Sequence, residues 1–205
     1  MLLRELYHRT KNNMQVIHSM LVLEAAQRKN TGISDFAREI TQKIKAMALV
    51  HQMLYRSQDL SRVDLREYFS ELATLLMQSF KVSPGKISLV IDLEPVSASI
   101  DIATPCALIV NELMSNALKY AFPGDMTGEI SLQLRKTGDT MLELVFSDNG
   151  VGLPPGFDFR GQQSLGMQSI FALAEHQLQG EVYFEARRGL TCQIRFAETS
   201  KIPGV

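Results

Sequence analysis

The chain has 205 residues, 45% of them hydrophobic, and a formal net charge of −1 at pH 7. This length and composition are those of one large globular domain or two smaller ones with a buried core. A charge so near zero argues against broad nucleic-acid binding, and we predict no nucleic-acid partner. The two cysteines, Cys106 and Cys192, lie far apart without metal-binding spacing. They are predicted to be buried thiols in a reducing compartment.

The hydropathy and the start of the chain bear on its location. No run of eighteen or more apolar residues occurs, and the first residues have no signal-peptide pattern. We therefore predict a cytoplasmic segment, belonging to a full-length protein that is either soluble or attached to a membrane. Because the sequence begins inside a helical pattern, we also expect a piece of a longer protein whose N-terminal part is absent.

The first block, residues 1–62, is predicted to be a helical hairpin. Residues 2–29 contain no Pro or Gly, and Asn30-Thr31-Gly32 is typical of a helix end. Ser34 is a suitable cap for a second helix that runs to about Ser57. That helix carries apolar residues at three- and four-residue spacing: Phe36, Ile40, Ile44, Met47 and Leu54. Two helices bury little surface, so we expect a homodimer through a four-helix bundle, unless the second block covers the hairpin.

The second block, residues 63–205, is predicted to form an α+β two-layer sandwich. Helices are predicted over residues 64–80, from Pro105 to about 122, and over 165–178. Strands are predicted over residues 86–93, 96–100, 129–135, 141–147, 181–186 and 190–196, with the first two paired. Runs of adjacent strands with helices between them favour this class over a βαβ repeat.

One predicted helix carries a polar face within NELMSNALKY, residues 111–120. Glu112, Asn116, Lys119 and Tyr120 follow one another at spacings of four, three and one, which places them on one helix face. A carboxylate, an amide and an ammonium together suit a phosphate chain that carries magnesium. A solvated helix face is the alternative interpretation of the same pattern.

Two glycine-containing segments follow. DNGVGLP, residues 148–154, places a carboxylate at a strand end, ahead of glycines that permit close approach of the backbone to a ring. A carboxylate accepts hydrogen bonds from an exocyclic amine such as that of adenine, although Asp-Asn-Gly is also a common turn. GQQSLGMQSI, residues 161–170, is a glycine loop that opens into a helix, a frequent phosphate-binding arrangement.

The order of these segments resembles that of the GHKL ATPases, which share the Bergerat fold. NELMSNALKYAF is similar to the N box, DNGVGLP to the G1 box, SLGM to the G2 box and GLT, residues 189–191, to the closing glycine-threonine element. The resemblance implies ATP and Mg²⁺ as ligands. It implies that Asn116 ligates magnesium and that Glu112 is a general base or contacts the magnesium ligands. By the same resemblance, Lys119 and Tyr120 contact phosphate and ribose, and Ser164, Leu165 and Gly166 lie beside the phosphates. Asp148 binds the adenine amine, Gly150 and Gly152 shape the pocket, and Thr191 lies behind the adenine with Asp148.

The first block resembles the dimerisation and phosphotransfer region of histidine kinases of the second HisKA class, which is allied to the HWE kinases. The motif is His-Arg-x-Lys-Asn, present here in ELYHRTKNN, residues 5–13. The resemblance implies autophosphorylation of His8 from ATP. From its position about one helical turn before His8, we expect Glu5 to orient the ring or accept its proton. It also implies an upstream sensor domain and transfer to the receiver domain of a response regulator.

The placement of His8 on its predicted helix agrees with this role. At about 100° per residue from Leu3, the apolar residues Leu6, Met14, Ile17 and Leu21 fall within roughly 60° of the start, whereas His8 falls near roughly 140°. His8 is therefore predicted to project away from the apolar stripe, where a mobile ATP-binding domain can reach it. Two other histidines of the hairpin, His18 and His51, have no comparable polar cluster and are predicted to be structural.

Two other functions stay open from the sequence alone. One is a histidine phosphotransferase with a degenerate ATP domain, although Asn116, Asp148, Gly150 and Gly152 all stand in order. The other is a serine-directed GHKL kinase of the anti-sigma type, which leaves the hairpin around His8 unexplained. Nucleotide titration tests the first alternative, and the acid stability of the phosphorylated product tests the second.

Overall fold

A computed structural model of the chain describes residues 43–44, 46–47, 49–50, 53, 62–80, 82–138, 140–154, 156–161, 165–186 and 188–198. The predicted site residues His8, Glu5 and Ser164 lie outside these ranges, and so does most of the predicted hairpin. The described residues between 43 and 53 are helical, and a mixed α/β unit follows them. The predicted order of a helical part and an α+β sandwich is therefore confirmed.

The α+β unit contains a five-stranded sheet with the order β2-β4-β5-β7-β6 and a two-stranded sheet of β1 and β3. The strands are β1 Arg62–Asp64, β2 Ile87–Leu93, β3 Ser97–Ser99, β4 Gly128–Lys136, β5 Met141–Asp148, β6 Glu181–Glu185 and β7 Thr191–Ala197. The helices are α1 Leu65–Ser79, α2 Ile100–Asn116 and α3 Leu165–Phe171. The last two continue in wider π-helical turns, α2 over Ala117–Ala121 and α3 over Ala172–Gln177.

Alternation along the strands creates one buried sheet face. In β5, Leu142, Leu144 and Phe146 are buried, and in β7 their register partners Phe196, Ile194 and Cys192 are buried as well. The residues between them are half-buried or exposed, which is the period of two expected for a sheet with one face against the core. This core ends at Asp148, which continues the buried positions of β5 with a carboxylate.

Helix α1 begins where the sequence predicts. The Asp64 Oδ1 accepts hydrogen bonds from the backbone N–H groups of Arg66 at 2.8 Å and Glu67 at 3.3 Å, which satisfies two of the donors that a helix N-terminus leaves open. Cys106 and Cys192 are free and buried, as predicted, and burial raises the pKa of both thiols. Within the described ranges, no helix combines the length and the apolar character needed to cross a bilayer.

Two local predictions are wrong. Residues 97–99 do not pair with β2; they pair antiparallel with β1, because the chain turns away after Pro95, which has no backbone donor for a continued ladder. Helix α2 begins at Ile100, and Pro105 lies inside it. The proline removes one backbone hydrogen bond, that to the carbonyl of Asp101, a residue exposed to water that can hydrate the freed oxygen.

The helical residues before the sheet bury one face against the α/β unit. Ile44 is 46% exposed, whereas its neighbour Lys43 is 5% exposed. The buried positions include Ala46, Met47 and Val50, so this face contains Met47 of the predicted apolar positions but not Ile44. The predicted division at residues 62–63 falls in β1 and stays a prediction.

Candidate functional site

Helix α2 presents the predicted polar residues in graded exposure. Glu112 is buried at 2% exposure, Asn116 is half-buried, and Lys119 and Tyr120 are exposed. Leu113, one residue after Glu112, packs in the core. The face formed by Glu112 and Asn116 therefore runs from the interior to the surface, which is the geometry of one wall of a cleft and not that of a solvated helix.

The start of α3 lies against this wall. A Cβ added to Gly166 would be 2.8 Å from the Glu112 Oε2 and 3.6 Å from the Asn116 Nδ2. Only glycine leaves space there for both polar groups. Gly166 and Leu165 were both predicted to lie beside the phosphates. Leu165 is the first residue of α3. We call Glu112, Asn116 and Gly166 the helix side of the site.

The end of β5 supplies the second wall. The Asp148 Oδ1 accepts a hydrogen bond from the Gly150 N–H at 2.9 Å. Burial raises the pKa of the Asp148 carboxyl above its usual value, although hydrogen bonds from the backbone of Gly150 and Leu190 oppose the rise. A buried carboxylate with acceptor capacity left over is a specific receptor for a ligand N–H group.

Two glycines set the shape of this wall. A Cβ on Gly150 would lie 2.4 Å from the Ala121 carbonyl oxygen, and a Cβ on Gly189 would lie 1.8 Å from the carbonyl oxygen of Asp148. The φ angle of Gly189 is +87°, a region that L side chains rarely adopt. The backbones here touch without intervening side chains. We call Asp148, Gly150 and Gly189 the strand side.

The two sides meet at the π-helical end of α2. The Val151 N–H donates to the Ala121 carbonyl oxygen at 2.9 Å, which ties the loop after β5 to the helix that carries Asn116. Gly152, predicted to shape the pocket, has a φ of +69° and lies against the backbone of Gly189. The structure thus brings Glu112, Asn116, Gly166 and the predicted G1-box residues into one continuous region.

Thr191 is the first residue of β7. It lies opposite Ser147 in the β5–β7 register, one residue from Asp148. Side chains alternate along a strand, so Thr191 and Ser147 point to the face opposite that of Asp148. The neighbouring Cys192, opposite Phe146, is on the buried face. The role of Thr191 behind the adenine stays a prediction.

The sequence does not reveal one member of the site, Lys43. Its Nζ lies 3.0 Å from the Glu112 Oε1, and the two side chains are 6% and 3% exposed. The approach is that of an ion pair and lacks the alignment of a hydrogen bond. A lysine on an amphipathic helix is normally exposed to solvent, so no sequence pattern predicts this contact.

The donor set of the helix side fits a hard cation. The side-chain oxygen of Asn116 and a carboxylate one helical turn earlier are the oxygen ligands that Mg²⁺ prefers, with phosphates and water for the remaining positions. Gly166 lies against both residues without a side chain of its own. Asp148 supplies the acceptor for a base, and the exposed Lys119 supplies positive charge at the rim.

Comparison with known proteins identifies the family. The family model described as histidine kinase matches residues 5–80, and the model described as histidine kinase-, DNA gyrase B-, and HSP90-like ATPase matches residues 101–200. The chain belongs to the histidine kinases of the second HisKA class. Its ATP-binding domain is of the GHKL type.

Individual relatives agree with this assignment. The sensor histidine kinase PdtaS of Mycobacterium tuberculosis is 31% identical over 182 residues, which are 88% of this chain and 36% of that protein. The blue-light-activated histidine kinase 2 of Erythrobacter litoralis is 24% identical over 84% of this chain and 50% of its own length. This histidine kinase therefore spans between about a third and a half of these relatives.

Solved structures show the same fold. The Erythrobacter litoralis EL346 blue-light activated histidine kinase covers 98% of this chain and 60% of its own, with a TM-score of 0.78 at 20% identity. The histidine kinase domain of the same protein covers 90% of this chain and 83% of its own, with a TM-score of 0.71 at 18% identity. At these identities the likeness concerns the fold alone.

Proposed function

We propose that the chain is the catalytic core of a sensor histidine kinase that phosphorylates its own His8 from Mg-ATP. The phosphoryl group then passes to an aspartate of a response regulator. The observation that supports this most is the closeness of Glu112 and Asn116 to Gly166, at 2.8 Å and 3.6 Å from its added Cβ. A site of this shape lies in the same chain as a histidine kinase segment, residues 5–80, that contains His8.

Nucleotide binding is divided between the two sides of the site. Asp148 accepts from the adenine amine, and the close backbone contacts of Gly150 and Gly189 leave room for the flat ring. Asn116 ligates magnesium and Lys119 and Tyr120 contact phosphate and ribose, with Leu165 and Gly166 beside the phosphates. When bound, magnesium screens the negative charge on the phosphate oxygens.

Phosphoryl transfer is assigned to His8. A neutral imidazole nitrogen forms the bond to the γ-phosphorus, the bond from this phosphorus to the β,γ-bridging oxygen breaks, and ADP leaves. The ordinary imidazole pKa of about 6.5 keeps most of the rings neutral at cellular pH. The second ring nitrogen then releases its proton, for which Glu5, one helical turn earlier, is the proposed acceptor. Glu112 is the proposed general base, or else a group that contacts the ligands of magnesium, on the helix side of the site.

The wider assembly follows the family. We propose that residues 1–62 form the dimerisation and phosphotransfer unit, that residues 63–205 form the ATP-binding domain, and that two chains associate through the helical unit. A sensor region elsewhere in the full-length protein would supply the input, since the curated relatives extend well beyond the matched segment. A mass measurement in solution tests the dimer: a monomer at micromolar concentration would contradict it.

Labelling with γ-labelled ATP tests the reaction. We expect acid-labile label on the wild-type chain in the presence of magnesium and none on His8→Ala, which should still bind nucleotide. His176→Ala is the matched control, because His176 is an exposed histidine at the end of α3 and should leave labelling unchanged.

Each alternative has its own signature in the same experiment. Absence of ATP binding in the wild type would favour a phosphotransferase with a degenerate ATP domain. Acid-stable label would favour a serine-directed kinase. Acid-labile label that persists in His8→Ala would show that a different histidine is the acceptor.

A further inference from the structure

The buried ion pair between Lys43 and Glu112 joins two regions that are far apart in the sequence. Lys43 belongs to the helical residues before the sheet, and Glu112 lies in α2. The Nζ and Oε1 atoms are 3.0 Å apart, and both side chains are almost fully removed from water. An ion pair in such a place is a weak source of stability, because burial of both charges offsets most of their attraction. Its presence calls for a role other than stability.

The second carboxylate oxygen of Glu112, Oε2, faces the start of α3. A Cβ on Gly166 would lie 2.8 Å from Oε2, which places this oxygen at the start of α3 and near the amide of Asn116. One oxygen therefore faces Lys43 and the other faces the helix side of the site. A carboxylate is planar, so a contact that fixes Oε1 also fixes the direction of Oε2.

Lys43 is itself held in place by packing. The buried Tyr68 hydroxyl of α1 donates a hydrogen bond to the backbone carbonyl of Ala46 at 2.8 Å. Ala46 and Val50 are fully buried and belong to the same apolar cluster as the residues of α1 and α2. The ammonium group is thus carried by a backbone that is anchored to the ATP-binding domain, which is what a positioning residue requires.

We propose that Lys43 is a positioning residue for phosphoryl transfer, holding Glu112 through Oε1 so that Oε2 stays directed at Gly166 and Asn116. The inference rests on the proposed function, in which Glu112 acts at the magnesium end of the site. It also means that the carboxylate of the ATP-binding domain is set by a residue of the preceding helical part. Undocking that part would misdirect Glu112 and lower turnover without any change in the nucleotide-binding residues.

The test is a comparison of autophosphorylation kinetics among variants of the full chain, in which kcat is the rate constant for phosphorylation of His8 at saturating ATP. Lys43→Met should lower kcat on the order of 10-fold, as loss of an outer-shell contact typically does, with the KM for ATP changed much less. Lys43→Arg, which keeps the charge, should retain most of the wild-type kcat. Lys136→Met is the matched control, because Lys136 forms a partly exposed ion pair with Glu198 at 3.4 Å and should behave as the wild type.

A double variant separates positioning from a general packing effect. If Lys43 acts only through Glu112, then Lys43→Met combined with Glu112→Gln should have the same kcat as Glu112→Gln alone. A further drop in the double variant would overturn the inference. This comparison also serves if Lys43→Met alone leaves the buried Glu112 charge uncompensated and does not fold, because Glu112→Gln removes that charge.

The outcomes distinguish this inference from the function on which it rests. Reduced kcat in Glu112→Gln with wild-type kcat in Lys43→Met would overturn the role of Lys43 alone. Wild-type kcat in Glu112→Gln would overturn the role of Glu112 and that of Lys43 with it. Absence of acid-labile label on the wild-type chain would instead defeat the proposed function itself.

Discussion

The strand side and the helix side of the site differ in the kind of contact that shapes them. On the strand side, the contacts that shape the pocket join backbone to backbone, as where Gly189 meets the carbonyl of Asp148. On the helix side they involve the side chains of Glu112 and Asn116, and a third side chain, Lys43, arrives from another part of the chain. Backbone contacts are fixed once the sheet forms. Side-chain contacts can be made and broken without unfolding, so we assign recognition of the base to the first and control of the chemistry to the second.

The largest expected effect comes from breaking the strand side at Gly189. In Gly189→Ala the new Cβ would collide with backbone at a φ of +87°, and we expect a loss of about 3 kcal/mol or more of unfolding free energy from strain and overpacking together. Chemical denaturation measures it.

Gly138→Ala is the control for this substitution, since Gly138 also has a positive φ, of +82°, but open space around it. We expect it to lose only about 1–2 kcal/mol, the backbone contribution alone. Equal losses in the two variants would show that the backbone contact at Gly189 is not tight.

The next effect concerns the helix side. Asn116→Ala should weaken ATP binding in the presence of magnesium by about 10-fold or more, the usual consequence of losing a contact to a charged group. Because Asn116 is half-buried, the unfolding free energy should change little. Calorimetric titration with and without a chelator separates the two contributions; equal affinity of variant and wild type with magnesium would refute the assignment of Asn116.

Asp148→Asn is expected to lower the affinity for adenine and to raise the thermal stability at neutral pH. Adenine affinity should fall on the order of 10-fold, because a charge-assisted hydrogen bond becomes neutral. Burial raises the pKa of the Asp148 carboxyl, so the folded chain binds this proton more tightly than the unfolded chain and loses stability as pH rises through that pKa. The amide escapes this cost, and the variant should melt at a higher temperature at neutral pH.

The pH dependence provides the check on this prediction. Wild-type affinity for ATP should decline as pH falls toward the raised pKa of Asp148, whereas the affinity of Asp148→Asn should not follow the same decline. The stability gain of the variant should vanish below the ordinary pKa of an aspartate, where the carboxyl is neutral in both states. A variant less stable than the wild type at neutral pH would contradict the account.

The smallest effect is expected on the outer sheet face, away from both sides. Arg195 Nε donates to the Glu143 Oε1 at 2.7 Å, and the arginine side chain is 50% exposed. Arg195→Ala should leave the midpoint of chemical denaturation almost unchanged, as is usual for surface ion pairs. Nucleotide affinity should stay at the wild-type value, and a measurable loss would mean that this face takes part in binding.

Sequence patterns predict the parts of this molecule that depend on local chemistry. The cap at Asp64, the alternation along β5 and the polar face from Glu112 to Asn116 all follow from residue type and spacing. Sequence patterns do not predict the features that depend on tertiary packing. Pro95 redirects β3 to a distant partner, and Pro105 is accommodated within α2. Lys43 is buried and pairs with Glu112 of α2. No local pattern contains that information, since the two residues meet only in the folded chain.

Direct mapping of the phosphorylated residue tests the central claim. The chain would be incubated with Mg-ATP, digested under neutral to alkaline conditions that preserve phosphohistidine, and its peptides sequenced by mass spectrometry. The account predicts a single phosphoryl group on His8, with a lower yield at subsaturating Mg-ATP in Asn116→Ala and Asp148→Asn, which weaken nucleotide binding. A phosphoryl group on a serine, or on a histidine other than His8, would contradict it.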